Sequence, residues 1–324
     1  MKTLYYHASL ITGDVDRLFL PGGYLLVDGD RIAAVGVCGD EALPEADVRH
    51  DLAGRILMPG MISSHCHFYG QFVRGMPLSE PIYNWQQYLS RMWWRVDKAL
   101  DERQTYYSAL MGLVEGLKAG TTTYFDHQAS PNYITGSLDT IERAMRAVGG
   151  RGCLAYEVTD RDGAERAARG IAENERYIRA HQAEGDRFRG IFGLHASYSL
   201  SAETLERSSA VGNALNAGFH IHMAESEADV SDCYRRFDRH VVERLHEAGI
   251  LGEKTITAHN VHLKPRHFGI LRETGVTAAH NVQSNTNTAV GICPVVPLMD
   301  AGVHVALGGD GYTYDLFTEL GFAS

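Results

Sequence analysis

The chain has 324 residues, 44% of them hydrophobic, and a formal net charge of −10. It can bury a large core, and its acidic balance argues against a surface for polyanions, which takes clustered Lys and Arg, so no nucleic-acid or anionic-membrane partner is expected. The five cysteines (Cys38, Cys66, Cys153, Cys233 and Cys293) are odd in number without Cys-x-x-Cys spacing, the pattern of reduced thiols in a cytoplasmic protein; no signal peptide or membrane span is read either.

Residues 1–55 read as a small β domain. The runs TLYYHASLIT and GYLLVDGDRIAAVGV are strand-like, and Asp28-Gly29-Asp30 marks a hairpin turn within the second. From residue 56 to 324 apolar runs alternate with helical patterns, the signature of a parallel sheet built from β-α units. The runs are ILMPGMISSH, TTTYFDH, RGCLAYEV, FRGIFGLHAS, GFHIHMAE, KTITAHNVHL, GVTAAHNVQ and VHVALGGDG. Between them lie helical segments such as AERAARGIAENERYIRAHQAEG and DVSDCYRRFDRHVVERLHEAG, the latter starting on an Asp cap and ending on Gly. Eight such units predict an α/β fold, a (β/α)8 barrel behind a small N-terminal β domain. A doubly wound sheet would need a glycine-rich phosphate loop after its first strand, and SSHCHFYG is not one.

Nearly every run ends on a histidine or a carboxylate: His65 and His67, Asp126 and His127, Glu157, His195, His222 with Glu225, His259, His280 and Asp310. Barrel active sites sit at the C-terminal ends of the strands, so these scattered positions are expected to form one rim. In a strand, residues two apart face the same side, so His65 and His67 present two imidazoles together, half of a zinc-type site, while Cys66 packs the other way. One His-x-His is unremarkable among 16 histidines, and His220 with His222 is a second. His220 lies one layer deeper and reads as core. Glu225, just past the strand of His222, is placed for proton transfer, with a solvated helix start as the plain alternative. Asp310 follows an apolar run and two glycines, where a buried carboxylate needs a cation or strong donors to stay charged. His259 directly follows its apolar stretch, and His262 falls on the next loop.

Assembled in order, GYLLVDGDRIAAVG, MPGMISSHCHFYGQFVRGM, LVEGLKAGTTTYFDH, LHASYSLS, HMAESEAD, TAHNVHL, HNVQSNTNTAVGICPV and LGGDG resemble the amidohydrolase superfamily, in its branch of mononuclear aminohydrolases. Within that branch HFYGQFVRGM and FDHQASPN look most like the aminohydrolases linked to selenium and purine catabolism. The resemblance implies that His65, His67, His222 and Asp310 hold one divalent metal, zinc or else iron, with Glu225 as proton shuttle. His259 would bind the attacking water, and His195 would meet the substrate. Gln71, Arg74 and Trp85, on the loop after the first strand, and His280 would build more of the pocket. Relatives with two metals bridge them with a lysine on the fourth strand, and this chain has no lysine between Lys118 and Lys254.

The function implied is removal of an amino group from a purine-, pterin- or triazine-like ring by metal-activated water. Ring opening of a cyclic amide and a non-catalytic binding protein are the alternatives, and a homo-oligomer is compatible with either. Relatives continue beyond the eighth strand with a long helix and strands that complete the small β domain, whereas this sequence stops at Ser324. The closing strands are thus expected to be missing, with strands 1 and 8 poorly covered.

Overall fold

Alternation decides the first sheet. In β1 (Lys2–Ile11) Leu4, Ala8 and Leu10 share one side and are buried, while their neighbours are mostly half-buried. β2 (Phe19–Asp28) and β3 (Arg31–Val37) form the expected hairpin, with Asp28 opposite Arg31 and Gly29 at φ +60°, a conformation glycine adopts without strain. β4 (Val48–Asp51) and β5 (Ile56–Leu57) add to β1 in parallel. The computed structural model describes residues 1–39, 42–182 and 187–324, and the chain divides into two units, Met1–Gly60 and Met61–Ser324.

The second unit is the (β/α)8 barrel that the eight runs predict. Its strands are β6 (Met61–Cys66), β7 (Thr121–Gln128), β8 (Arg151–Tyr156), β9 (Phe188–Gly190) with β10 (Phe192–Ala196), β11 (Phe219–Met223), β12 (Ile256–His259), β13 (Thr277–His280) and β14 (His304–Leu307), all parallel. Two of the runs are divided. The first breaks at Met58-Pro59-Gly60, so that Ile56–Leu57 pairs with β1 and Met61–Cys66 opens the barrel. The fourth breaks at Ile191, with β9 pairing β8 and β10 pairing β11. Isolated bridges between Val158 and Leu194 and between Cys66 and Asp310 carry the ring across the remaining gaps.

The helices depart from the sequence pattern in two places. The segment after β11 begins on Ser226, whose hydroxyl accepts from the Asp229 amide, and Asp229 is a buried residue within the first turn. It then divides into Glu227–Phe237 and Val241–Glu247, because Asp238 turns left-handed at φ 53° and His240 starts a new helix. The helix expected over AERAARGIAENERYIRAHQAEG runs Ala164–Ala180, and residues 183–185 of that stretch lie outside the described residues. Among the described residues no helix is long and apolar enough to cross a membrane.

The main core lies between the strands and the outer helices. Leu194, Phe219 and Ile221 meet Leu205, Leu245 and Leu271 there, each worth ~1.5–3 kcal/mol when fully buried. Strands β10, β11 and β12 are buried throughout, whereas Val305, Ala306 and Leu307 of β14 are half-buried and Ile62 of β6 is exposed.

The break in the fourth strand leaves the Tyr156 amide and carbonyl and the Gly193 amide to be paired by Asn174, while Gly193 O also accepts from the Val158 amide (3.2 Å). From the helix Ala164–Ala180 its Oδ1 accepts from the amides of Tyr156 (2.9 Å) and Gly193 (3.2 Å), and its Nδ2 donates to Tyr156 O (2.8 Å) and Gly193 O (3.3 Å). Gly193 permits this approach, since a Cβ there would stand 2.2 Å from Tyr156 O. Replacing Asn174 by Ala should leave several buried main-chain groups unpaired at ~1–3 kcal/mol each, and hence cost at least about 3 kcal/mol. Urea unfolding of the two proteins measures this, and a loss under about 1 kcal/mol would mean that the strands re-pair without the amide.

Candidate functional site

Where barrel interiors usually carry Val, Ile and Leu, the C-terminal end of this one is filled with imidazoles. His65 and His67 meet edge to face at 4.7 Å between ring centres, and His222 lies 5.0 and 5.2 Å from them. The strands orient these rings through main-chain carbonyls. His67 Nδ1 donates to His127 O at the end of β7 (2.6 Å), and His222 Nδ1 donates to His195 O at the end of β10 (2.9 Å). With each Nδ1 carrying the hydrogen, both Nε2 atoms present lone pairs, and they face each other at 3.1 Å. Behind them His65 shares a hydrogen between its Nδ1 and His220 Nε2 (2.8 Å), and its own Nε2 is buried without a hydrogen-bond partner. His220, read from the sequence as core, therefore also supports a site residue. Such outer partners fix the tautomer and orientation of metal-binding histidines.

Asp310 closes the group. Its Oδ1 lies 3.2 Å from His67 Nε2 and 3.5 Å from His65 Nε2, and Ser284 donates its hydroxyl to Oδ2. Burial opposes its charge, yet the two imidazoles hold its carboxyl well below the usual carboxylate range. His67 answers in kind: burial alone would lower its pKa, but hydrogen bonding and attraction to Asp310 lift it to about 9, so that a proton takes the place on Nε2 that a metal cation would claim. His65 is driven down to about 3, mainly by burial.

The donors fit a divalent metal. His65, His67, His127 and His222 offer ligand atoms within 4.8 Å of one another, as do His65, His259 and Asp310. Facing lone pairs in a dry site are repulsive unless a cation or proton lies between them, and imidazole with carboxylate is a donor set suited to zinc-like ions.

Glu225 and His259 line the cleft on one side. The indole of Trp85 donates to Glu225 Oε1 (3.0 Å), and His259 Nε2 lies 3.9 Å from Oε2. His259 donates from Nδ1 to Asn285 Oδ1 (2.8 Å), which leaves Nε2 towards the cleft. Burial raises the Glu225 carboxyl above its usual range. Four non-glycine residues around this end take left-handed backbone, Ala224, His259, Asn260 and Asp310, the kind of strain that collects where side chains must be aimed.

His195 lines the cleft as well, beside Glu157 and Arg161. Aromatic side chains of Tyr69, Tyr88, Trp93 and Trp94 wall the cleft. Other predicted residues do not reach it. Gln71 and Arg74 are drawn outward to Glu115, at 2.9 and 2.6 Å, and Arg74 also donates to Tyr312 O. Gln71 lies within a 3-10 turn, Phe68–Val73, and Arg74 directly follows it. Trp85 acts from behind Glu225 and borders a neighbouring cleft, and His280 is buried without lining the cleft.

The cleft also holds residues the sequence did not mark. Arg161 is buried, pairs with Asp97, lies 3.2 Å from Asp162 and stacks its guanidinium 5.2 Å from the Trp94 ring centre. Ser284 and Trp93 come from loop or short helical segments whose periodicity carries no signal. Of the rim residues, Asp126 is structural: it accepts the Phe68 amide (2.8 Å) and thereby fixes the turn after His67.

The amidohydrolase family model matches residues 56–324. The 5'-deoxyadenosine deaminase of Methanothermobacter thermautotrophicus is 32% identical over 322 residues, covering 97% of this chain and 73% of that protein. The 5-methylthioadenosine/S-adenosylhomocysteine deaminase of Desulfitobacterium hafniense is 32% identical over 318 residues, covering 96% and 70%. Among solved structures, an adenosine deaminase from Xanthomonas campestris with bound zinc superposes with a TM-score of 0.82 at 22% identity, covering 99% of this chain and 72% of that one. A guanine deaminase from C. acetobutylicum with bound guanine gives 0.85 at 18% identity, covering 100% and 78%.

Adding Zn²⁺ to metal-free protein should raise its unfolding temperature, by the equivalent of about 2.7 kcal/mol when the ion is at 100 times its Kd. A His222→Ala protein should lose that response, and an equal shift in both proteins would put the ion elsewhere.

Proposed function

The chain belongs to the amidohydrolase family, hydrolases that act on C–N bonds, and from this premise we propose that it removes an amino group from a nitrogen heterocycle with the help of one divalent metal ion, zinc in the first instance. The observation that carries the reading is the facing pair of Nε2 lone pairs on His67 and His222, 3.1 Å apart, with Asp310 beside them and the Glu225 carboxylate on the cleft wall. His65, His67, His222 and Asp310 would hold the metal. Similarity to the nucleoside deaminases named above supports a purine-like ring as substrate.

When bound, the ion would lower the pKa of water from 15.7 towards ~7 and so make it a nucleophile at neutral pH. The chain's own residues do the rest. Glu225 takes the proton of the attacking water as it adds to the amino-bearing ring carbon. It gives that proton to the ring nitrogen, then takes the second proton from the hydroxyl of the adduct and passes it to the amine as the C–N bond breaks, so that water and the amino compound become a carbonyl compound and ammonia. Trp85 fixes one oxygen of Glu225 and leaves the other free for this traffic. His259, held by Asn285, presents Nε2 on the same side and orients the water. His195 meets the ring from the opposite wall, and the surrounding aromatic side chains exclude bulk water.

Metal content and ammonia release over purines, their nucleosides, pterins and triazines test the assignment directly, and a metal-loaded protein that releases no ammonia from any of them would refute it. His65→Ala and Asp310→Ala should each lose metal and turnover together. Two metals per chain, with both needed for turnover, would refute the mononuclear reading. Glu225→Gln keeps the size of the side chain and should keep the metal, while turnover falls by about 10²–10⁴, the usual effect of losing a general acid–base group. Paired measurement of metal stoichiometry and kcat separates these cases: loss of metal in the Gln protein would make Glu225 a ligand or its support, and full turnover would move the proton to another group.

A further inference from the structure

The cleft that holds Glu225 is lined by a second buried carboxylate that the proposed chemistry does not use. Glu157 follows β8, its amide tied to Gln128 O (2.8 Å), and its side chain is 3% exposed. Among the described residues no hydrogen bond reaches its carboxylate. Its Oε2 is buried without a partner, 3.8 Å from His127 Nδ1, and its Oε1 lies 3.5 Å from His195 Nε2. That second contact joins two acceptors. Ser199 donates its hydroxyl to Ala196 O, so His195 Nδ1 donates to Ser199 Oγ (2.6 Å), and Nε2 is an acceptor already taken by the Tyr198 hydroxyl (3.3 Å). Buried acceptors are rarely left unpaired, and a site that leaves the Glu157 carboxylate so in the free protein is built for a donor that arrives with its ligand.

The nearest cation does not fill this role. Arg161 lines the same wall, but its charge is answered by Asp97 and Asp162, and no ion pair joins it to Glu157 among the described residues. Away from the metal ligands, the wall that carries Glu157 therefore presents a carboxylate beside one guanidinium that is already matched. A further negative charge placed against Glu157 would enter a poorly solvated space against its field.

Resting on the heterocycle reading above, we propose that Glu157 is the specificity-determining acceptor of the cleft. It takes a hydrogen bond from an uncharged N–H or O–H of the substrate, remote from the carbon that loses its amine, and it excludes analogues that carry a phosphate or carboxylate. A ring N–H of a free base and a hydroxyl of a ribose offer the same chemistry. The preferred substrate is accordingly a neutral base or nucleoside.

The metal-loaded protein and its Glu157→Gln variant are compared by equilibrium dialysis and, separately, by ammonia release. The probes are guanine, 5'-deoxyadenosine, adenosine 5'-monophosphate and S-adenosylhomocysteine. The unmodified protein should bind guanine or 5'-deoxyadenosine at least 100-fold more tightly than the monophosphate; which of the two it prefers identifies the donor as ring N–H or sugar O–H. Glu157→Gln should weaken the neutral ligand about 10-fold, raise KM with kcat within about 3-fold, and narrow the gap to the monophosphate and to S-adenosylhomocysteine. Equal binding of neutral and anionic probes by the unmodified protein overturns the proposal, whether or not the variant folds. So does a folded variant with unchanged affinities and discrimination. Ammonia release with those unchanged affinities defeats only the role of Glu157. Binding that depends on Glu157 without ammonia release defeats only the deaminase reading.

Discussion

Everything at the catalytic end of this barrel depends on two imidazole nitrogens that face each other across a space that only a cation or a proton can fill. His67 and His222 each give their Nδ1 hydrogen to a main-chain carbonyl, and both carbonyls belong to neighbouring strands, His127 of β7 and His195 of β10. Ring orientation is thus written into strand register. A slip of one residue would turn each anchoring strand over and remove the acceptor, so the fold cannot vary locally here without dissolving the arrangement of lone pairs.

Closure of the barrel and closure of the site are one event. Asp310 donates its amide to His65 O (3.0 Å), and its carbonyl accepts from the His67 amide (3.3 Å), so the main-chain bonds that join the last strand to the first also deliver the carboxylate to the histidines. Tyr314 adds a bond from its hydroxyl to His67 O (2.9 Å). At the other seam, Asn174 stands in for the strand pairing that the break at Ile191 removes, and this keeps β8, with Glu157 at its end, in line with β10 and His195. Glu157 and Glu225 both stand on the walls of the cleft that these strands build.

Those walls differ in what their carboxylates lack. Glu225 already has a donor, the Trp85 indole, on one oxygen. Glu157 has none, and burial pushes its carboxyl up to about 7. A carboxylate with one oxygen fixed is suited to moving protons along a set direction. One with neither oxygen fixed is suited to receiving a ligand. The assignments proposed above follow this difference in environment, since the two side chains are chemically the same.

Much of this was legible in the sequence, because it depends on local periodicity. Eight apolar runs with helical intervals specify a (β/α)8 barrel, and placement at the run ends marks His65, His67, His195, His222, Glu225, His259 and Asp310 as one rim, all but His65 lining the cleft itself. Cap chemistry was less legible: Ser226 rather than Asp229 starts its helix, because Asp229 is called inward to the amides of Tyr198 and Ala224. What only the tertiary structure decided are pairings between residues far apart in the chain. His65 with His220 and Trp85 with Glu225 leave no trace in spacing, and neither does the withdrawal of Gln71 and Arg74 to Glu115. Periodicity reports which way a side chain points from its own strand or helix; which distant atom waits there is settled only when the ring of strands closes.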